Sequence, residues 1–141
     1  MWTRCRKALG GLDPVRVENP AHPGTPDVNW GGYCRHTELR GEGWIELKWV
    51  RKAPVRAETV LSLHHFTPQQ RVWLLRRAAR GGRVHLLLKV GQAWMLFDGV
   101  TAAEHVGRVT LHELHGLAVR TWPRGLVEME LRRCLLTTGL S

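Results

Sequence analysis

Apolar and polar positions alternate most clearly over residues 44–50. There Trp44, Glu46, Lys48 and Val50 fall on one face of an extended chain and Ile45, Leu47 and Trp49 on the other. The pattern predicts a strand whose second face is core and whose first face presents an acid and a lysine. Ahead of it, residues 28–30 read as a short strand, Gly31-Gly32 as a turn, residues 33–39 as a second strand, and Gly41-Glu42-Gly43 as the next turn. Downstream, Thr67-Pro68-Gln69-Gln70 has the residues a helix start prefers: Thr as N-cap, Pro at the first position and Gln at the third. The helix is expected to run to about Arg80, with Val72, Leu75 and Ala79 as its apolar stripe and Gly81-Gly82 as its stop. Residues 84–90 are apolar enough for a buried strand, and Gly91-Gln92 suits a two-residue hairpin into residues 93–97.

The flanks are less regular. Residues 2–9 suit a short basic helix of modest packing value, closed by Gly10-Gly11. Residues 18–27 carry three prolines and a glycine, which forbid a helix and make a stiff, extended loop that places residues rather than building core. From Thr101 onward the chain reads as helical. Thr110 with Glu113 forms a capping box ahead of Leu111, Leu114 and Leu117, and Pro123 separates this from a last segment over residues 126–136. The expected organisation is an α/β core over residues 1–100, in the order α-β-β-β-α-β-β. A helical tail over residues 101–141 follows, packed on that core or forming a dimer contact. Leu126, Val127, Met129, Leu131, Leu135 and Leu136 give that tail more apolar surface than one-sided packing needs.

Composition narrows the partner. A chain of 141 residues, 43% hydrophobic, is long enough for one domain with a real core and short for two. Its 21 Lys and Arg against 12 Asp and Glu give a formal charge of +9, which favours a polyanion, and nucleic acid is the commonest one. Cys5, Cys34 and Cys134 lie far apart without a CxxC pair, so neither a disulfide framework nor a zinc ribbon is indicated, and a reducing, cytoplasmic setting fits. No apolar run suggests a signal peptide or a membrane span. Ser62 and Ser141 lack a GxSxG context, and no GKS or GKT phosphate loop is present. His112-Glu113-Leu114-His115 spaces its histidines at i and i+3, whereas the zinc-protease helix needs i and i+4. His36, His64 and His65 have no assignable supporting residues.

Phosphodiester cleavage needs a divalent cation held by a few carboxylates and a cation near the attacking water. Glu46 and Lys48, two apart on one strand, project from the same face, while Ile45 and Leu47 anchor that strand from behind. Asp27, after Pro26 at the mouth of a neighbouring strand, is placed to be a second carboxylate.

Gly24-Thr25-Pro26-Asp27-Val28, then Gly43-Trp44-Ile45-Glu46-Leu47-Lys48, then Phe66-Thr67-Pro68-Gln69-Gln70 and the Gly81-Gly82 before a buried strand, resemble the PD-(D/E)xK nucleases. More narrowly, they resemble small phage-type members related to RecU-like Holliday junction resolvases and VRR-NUC nucleases. The resemblance covers roughly residues 16–99. It implies a restriction-endonuclease-like core, a mixed central sheet flanked by helices. It also implies Mg2+ or Mn2+ coordination by Asp27 and Glu46, Lys48 as the catalytic cation, Glu18 as an additional early acid on the metal, and Gln70 facing the site from its helix. Gln70 also has an ordinary role open to it, completing the capping box with Thr67.

DNA affinity is expected from Arg51, Lys52, Arg56, Arg76, Arg77 and Arg80. A competing class is a basic DNA-binding module without catalysis, in which some of the seven tryptophans stack on bases. Trp44 is the one to watch, because it shares the face of Glu46 and Lys48. Paired cuts on branched DNA would call for a homodimer, since one chain supplies one such site.

Overall fold

The computed structural model describes residues 1–138, so the last three positions of the expected tail, 139–141, lie outside the described residues. Its framework is a six-stranded sheet in chain order: β1 (Val15–Arg16), β2 (Val28–Cys34), β3 (Leu39–Val50), β4 (Val84–Val90), β5 (Ala93–Asp98) and β6 (Arg120–Trp122). All neighbours are antiparallel except β3 and β4. A parallel pair needs a crossover, and the segment between them carries helix α2 (Pro68–Ala79). The hairpin at Gly91-Gln92 forms as expected, with Val90 opposite Ala93.

Alternate residues of the central strands feed two cores. Ile45 and Leu87 join Cys5 and Ala8 of α1 (Trp2–Ala8) and Leu131, Leu135 and Leu136 of α5 (Glu128–Thr137). On the opposite face, Leu86 and Leu88 join Leu74 of α2, Ala102 and Ala103 of α3 (Gly99–His105) and Leu114 of α4 (Leu111–Leu117). The sheet is therefore covered on both faces. This corrects the expectation that only the Ile45 side of β3 would be core: Glu46 and Lys48 are 1% and 4% exposed, whereas Trp49 is 50% exposed. The first helix and the turn after it also contribute more than expected, since Cys5, Ala8, Leu9 and Leu12 are fully buried.

Two expected turns are strand instead. β2 runs through Gly31-Gly32 and β3 through Gly41-Glu42-Gly43, and the chain reverses at residues 35–38 with Glu38 in the left-handed region. Close approach explains Gly43. A Cβ there would lie 2.6 Å from the Arg83 carbonyl oxygen and 2.8 Å from the Trp30 ring. The glycine admits neighbouring backbone to the strand rather than bending it.

The start of α2 is as expected. The Thr67 hydroxyl accepts from the Gln70 amide, and Gln70 Oε1 accepts from the Thr67 amide. Its buried face is not the expected one, because Leu74 is buried with Trp73 and Ala78 partly so, while Val72 and Leu75 are exposed. Gln70, Trp73, Leu74 and Arg77 occupy one helical face, and its polar members hide it from a purely apolar pattern.

Beyond residue 100 the chain is not solely helical. β6 adds a sixth strand, with Trp122 opposite Trp94, and Trp122 Nε1 donates to Glu130 of α5 across 2.6 Å. Leu126, Leu131, Leu135 and Leu136 enter the chain's own core, which leaves Val127 and Met129 exposed. Among the described residues no helix is long and apolar enough to cross a membrane.

Candidate active site

The proline-rich loop is fastened to α2 before it delivers Asp27. Gly24, at a φ of +96°, sits so close to the helix that a Cβ would lie 2.6 Å from the Gln69 carbonyl oxygen. Only glycine combines that φ with that approach. Past Pro26, the Asp27 carbonyl accepts the Val17 amide at 2.7 Å, and its carboxylate Oδ2 accepts the Leu47 amide at 2.8 Å. Arg16 stands 3.7 Å from Oδ1.

Strand register then sets the carboxylates against each other. The last β2–β3 pair on this side is Val28 with Ile45, and one further step of the same register places Asp27 opposite Glu46. Residues so paired share a face. Glu46 Oε1 lies 2.9 Å from Lys48 Nζ and accepts from Gln70 Nε2 at 3.1 Å, while Oε2 is buried without a hydrogen-bond partner among the described residues. Burial, and secondarily the negative charge of Asp27, push the Glu46 carboxyl up to about 8, outweighing the nearby Lys48. Lys48 also donates to the His65 carbonyl at 3.0 Å and lies over the Phe66 ring, 5.5 Å from its centroid. Two of its three donors are thereby engaged, leaving one for a water or a phosphate oxygen.

Asp27, Glu46, Lys48 and Gln70 thus converge. Gln70 fills both roles open to it, because its carbonyl oxygen caps α2 while its amide nitrogen holds Glu46. Glu18 does not join them: it is exposed in the loop after β1, and the described residues contain no group of three or more His, Cys, Asp or Glu able to hold a metal ion. Arg51, Lys52 and Arg56 are exposed in the segment after β3, and Arg76, Arg77 and Arg80 are exposed on α2. The α2 arginines surround Trp73, whereas Arg56 lines a separate groove with His112 and His115 of α4. Trp44 meets Trp73 edge to face, with ring centroids 5.3 Å apart.

Sequence reasoning missed Trp73, Phe66 and the His65 carbonyl. The one signal for Trp73 is helical spacing, three residues after Gln70 and four before Arg77, which a purely apolar pattern does not reveal. The His65 carbonyl left no side-chain signal.

A divalent cation fits the chemistry of the donors. The two convergent carboxylates are hard oxygen ligands suited to Mg2+ or Mn2+, and the partnerless buried Glu46 oxygen lacks the interaction such an ion would supply.

No family model matches the chain, and no curated protein matches it. Among solved structures, the chain is similar to Hjc from Archaeoglobus fulgidus, a Holliday junction resolvase from an archaeal hyperthermophile. The identity is 19% and the TM-score 0.51, over 84% of this chain and 88% of that one. The likeness is one of fold: the six-stranded mixed sheet with helices on both faces is consistent with a restriction-endonuclease-like architecture.

Proposed function

We propose that the chain is a metal-dependent endonuclease acting on DNA, preferably branched or junction DNA. The observation that carries this reading is the buried Glu46 carboxyl, set by strand register opposite Asp27 and held by both Lys48 and Gln70. Two carboxylates forced together in a site of low polarity repel each other, and Lys48 only partly offsets the cost. Asp27 and Glu46 would hold Mg2+ or Mn2+, with Glu18 reaching the ion only if its loop moved. When bound, the ion would make a water acidic enough to attack and offset charge on the scissile phosphate. Lys48 orients that water or a phosphate oxygen with its remaining donor. Gln70 and the Leu47 amide keep the two carboxylates in place, so little reorganisation is required of them during reaction.

The preference for branched DNA is supported by the fold shared with an archaeal Holliday junction resolvase and by the +9 charge. Paired cuts across a junction require two such sites, hence a homodimer. The exposed Val127 and Met129 at the start of α5 are the part of the tail left over for such a contact.

A second reading, a basic DNA-binding module without catalysis, is favoured by one observation: among the described residues only two acids converge. Incubating a plasmid and a four-way junction with protein and Mg2+, then with EDTA, decides between them. Cleavage in Mg2+ alone supports the nuclease, and retardation without cleavage supports the binder. Sedimentation at micromolar concentration tests the homodimer.

A further inference from the structure

Trp73 stands between two grooves on α2. On one side Pro23, Pro68, Gln69 and Val72 join Trp73 and Arg76 around a space of about 380 Å³, and on the other Arg76, Arg77 and Arg80 join Trp73 around about 230 Å³. Among the described residues no acidic side chain lines either groove. One groove is thus mainly apolar, its neighbour is strongly basic, and the indole forms their shared wall. Arg76 lines both.

The position of this pair is fixed relative to the acids. Gln70 of α2 reaches Glu46, and Trp73, one turn further along the helix, reaches Trp44, which precedes Glu46 by two residues on the same strand face. Trp73, the wall shared by the grooves, therefore lies about one helical turn along α2 from the Gln70 that holds Glu46. Arg77 lies 4.8 Å from the Trp73 ring centroid and 6.0 Å from that of Trp44, fixing the indoles from the basic side. The opposite wall is also fixed: Pro23 precedes the Gly24 that is pressed onto the Gln69 backbone, and Pro68 is locked in the first turn of α2. A slot with such walls is preformed, so occupying it costs little ordering.

We infer that these grooves form a subsite for one unpaired nucleotide, its base against Trp73, Pro23 and Val72 and its flanking phosphates on Arg76, Arg77 and Arg80. The inference rests on the reading of the chain as a DNA nuclease and specifies its substrate class: DNA with an unstacked nucleotide beside the cut phosphate. A continuous duplex needs only the arginines, because its base faces are already covered by neighbouring bases. An apolar slot beside them is matched by a base whose face is free.

The test measures binding in EDTA by anisotropy of two labelled DNAs, a duplex with a three-nucleotide bulge and the fully paired duplex of the same sequence. Wild type should bind the bulged DNA about tenfold more tightly, the scale of one base–aromatic stack. Trp73→Leu should bring the bulged DNA down to the paired level, while Trp73→Phe retains most of the preference. Val72 is 50% exposed, so Val72→Glu should leave the fold intact and still abolish the ratio by filling the slot with charge. Equal wild-type binding of the two DNAs overturns the inference. So does an unchanged ratio in Val72→Glu, or a loss in Trp73→Leu that is equal on both DNAs. Cleavage of the same DNAs in Mg2+ separates this from the nuclease reading. A preserved preference without cleavage defeats only the nuclease, and cleavage without preference defeats only the subsite.

Discussion

Gln70 Nε2 donates to Glu46 Oε1 across 3.1 Å while Oε1 of the same side chain accepts the Thr67 amide, so one residue starts α2 and holds a candidate catalytic carboxyl. Helix formation and site geometry are coupled through it. Gln70→Ala should cost about 1 kcal/mol of stability through the lost cap and lower cleavage roughly 10- to 100-fold through the lost support. Gln70→Glu keeps an acceptor for the Thr67 amide but puts an oxygen where the donor was. It should spare more of the melting temperature yet still slow cleavage. Wild-type cleavage by Gln70→Glu would show that the contact to Glu46 is incidental.

The raised Glu46 carboxyl gives a pH dependence whose sign is fixed. Unfolded, the group titrates near 4.5, and in the folded chain at about 8, so between these values the native state keeps a proton that the unfolded state releases. Stability of the metal-free protein should therefore fall as pH rises through that window. Glu46→Gln removes the dependence. In EDTA its melting temperature should match wild type near the acid end and exceed it by several degrees, about 4 or more, above the alkaline end. A variant less stable than wild type there would contradict the assignment. Because metal uptake would displace the same proton, Mn2+ affinity should rise with pH across the window.

The basic surface should show itself in salt dependence. If Arg76, Arg77 and Arg80 contact phosphates, the log–log slope of DNA affinity against salt should be steep, and each change to Ala should reduce its magnitude by about 1. Arg51→Ala, Lys52→Ala and Arg56→Ala test the segment after β3 in the same way. A slope near zero would mean that the +9 charge is not used for nucleic acid.

Gly43→Ala tests the close approach that replaces the expected turn. With the Arg83 carbonyl 2.6 Å and the Trp30 ring 2.8 Å from the added carbon, backbone must shift, and a loss of about 1–3 kcal/mol is expected by urea unfolding. Unchanged stability would show that β3 is loosely packed at this point.

Legibility followed the physics of each signal. The capping box at Thr67, the Gly91-Gln92 hairpin and the apolar run of β4 are local, and sequence reasoning found them. Gly31 and Gly43 misled it, because a glycine that admits a neighbour and a glycine that turns the chain look alike until the neighbour is known. Burial of Glu46 and Lys48 was also hidden, since alternation assigns one polar face to solvent, whereas Gln70 of α2 and the His65-Phe66 segment before it cover that face. The three-residue β6 is too short to show a period. Asp27, Glu46 and Lys48 stood out as candidates because their residue types and spacing suit metal-assisted chemistry. Trp73 did not, because its helical face is half polar.

Asp27 and Glu46, with Lys48 beside them, are proposed to cut DNA with a divalent cation, and a single-turnover assay on an end-labelled four-way junction tests this most directly. Wild type should cleave in Mg2+ and stop in EDTA. Asp27→Asn should bind the junction as tightly as wild type in a retardation assay yet cleave it at least about 100-fold more slowly, as expected when an interaction needed only for the chemical step is removed. Cleavage by Asp27→Asn at the wild-type rate, or no metal-dependent cleavage by wild type on junction, plasmid or linear duplex, would contradict the claim.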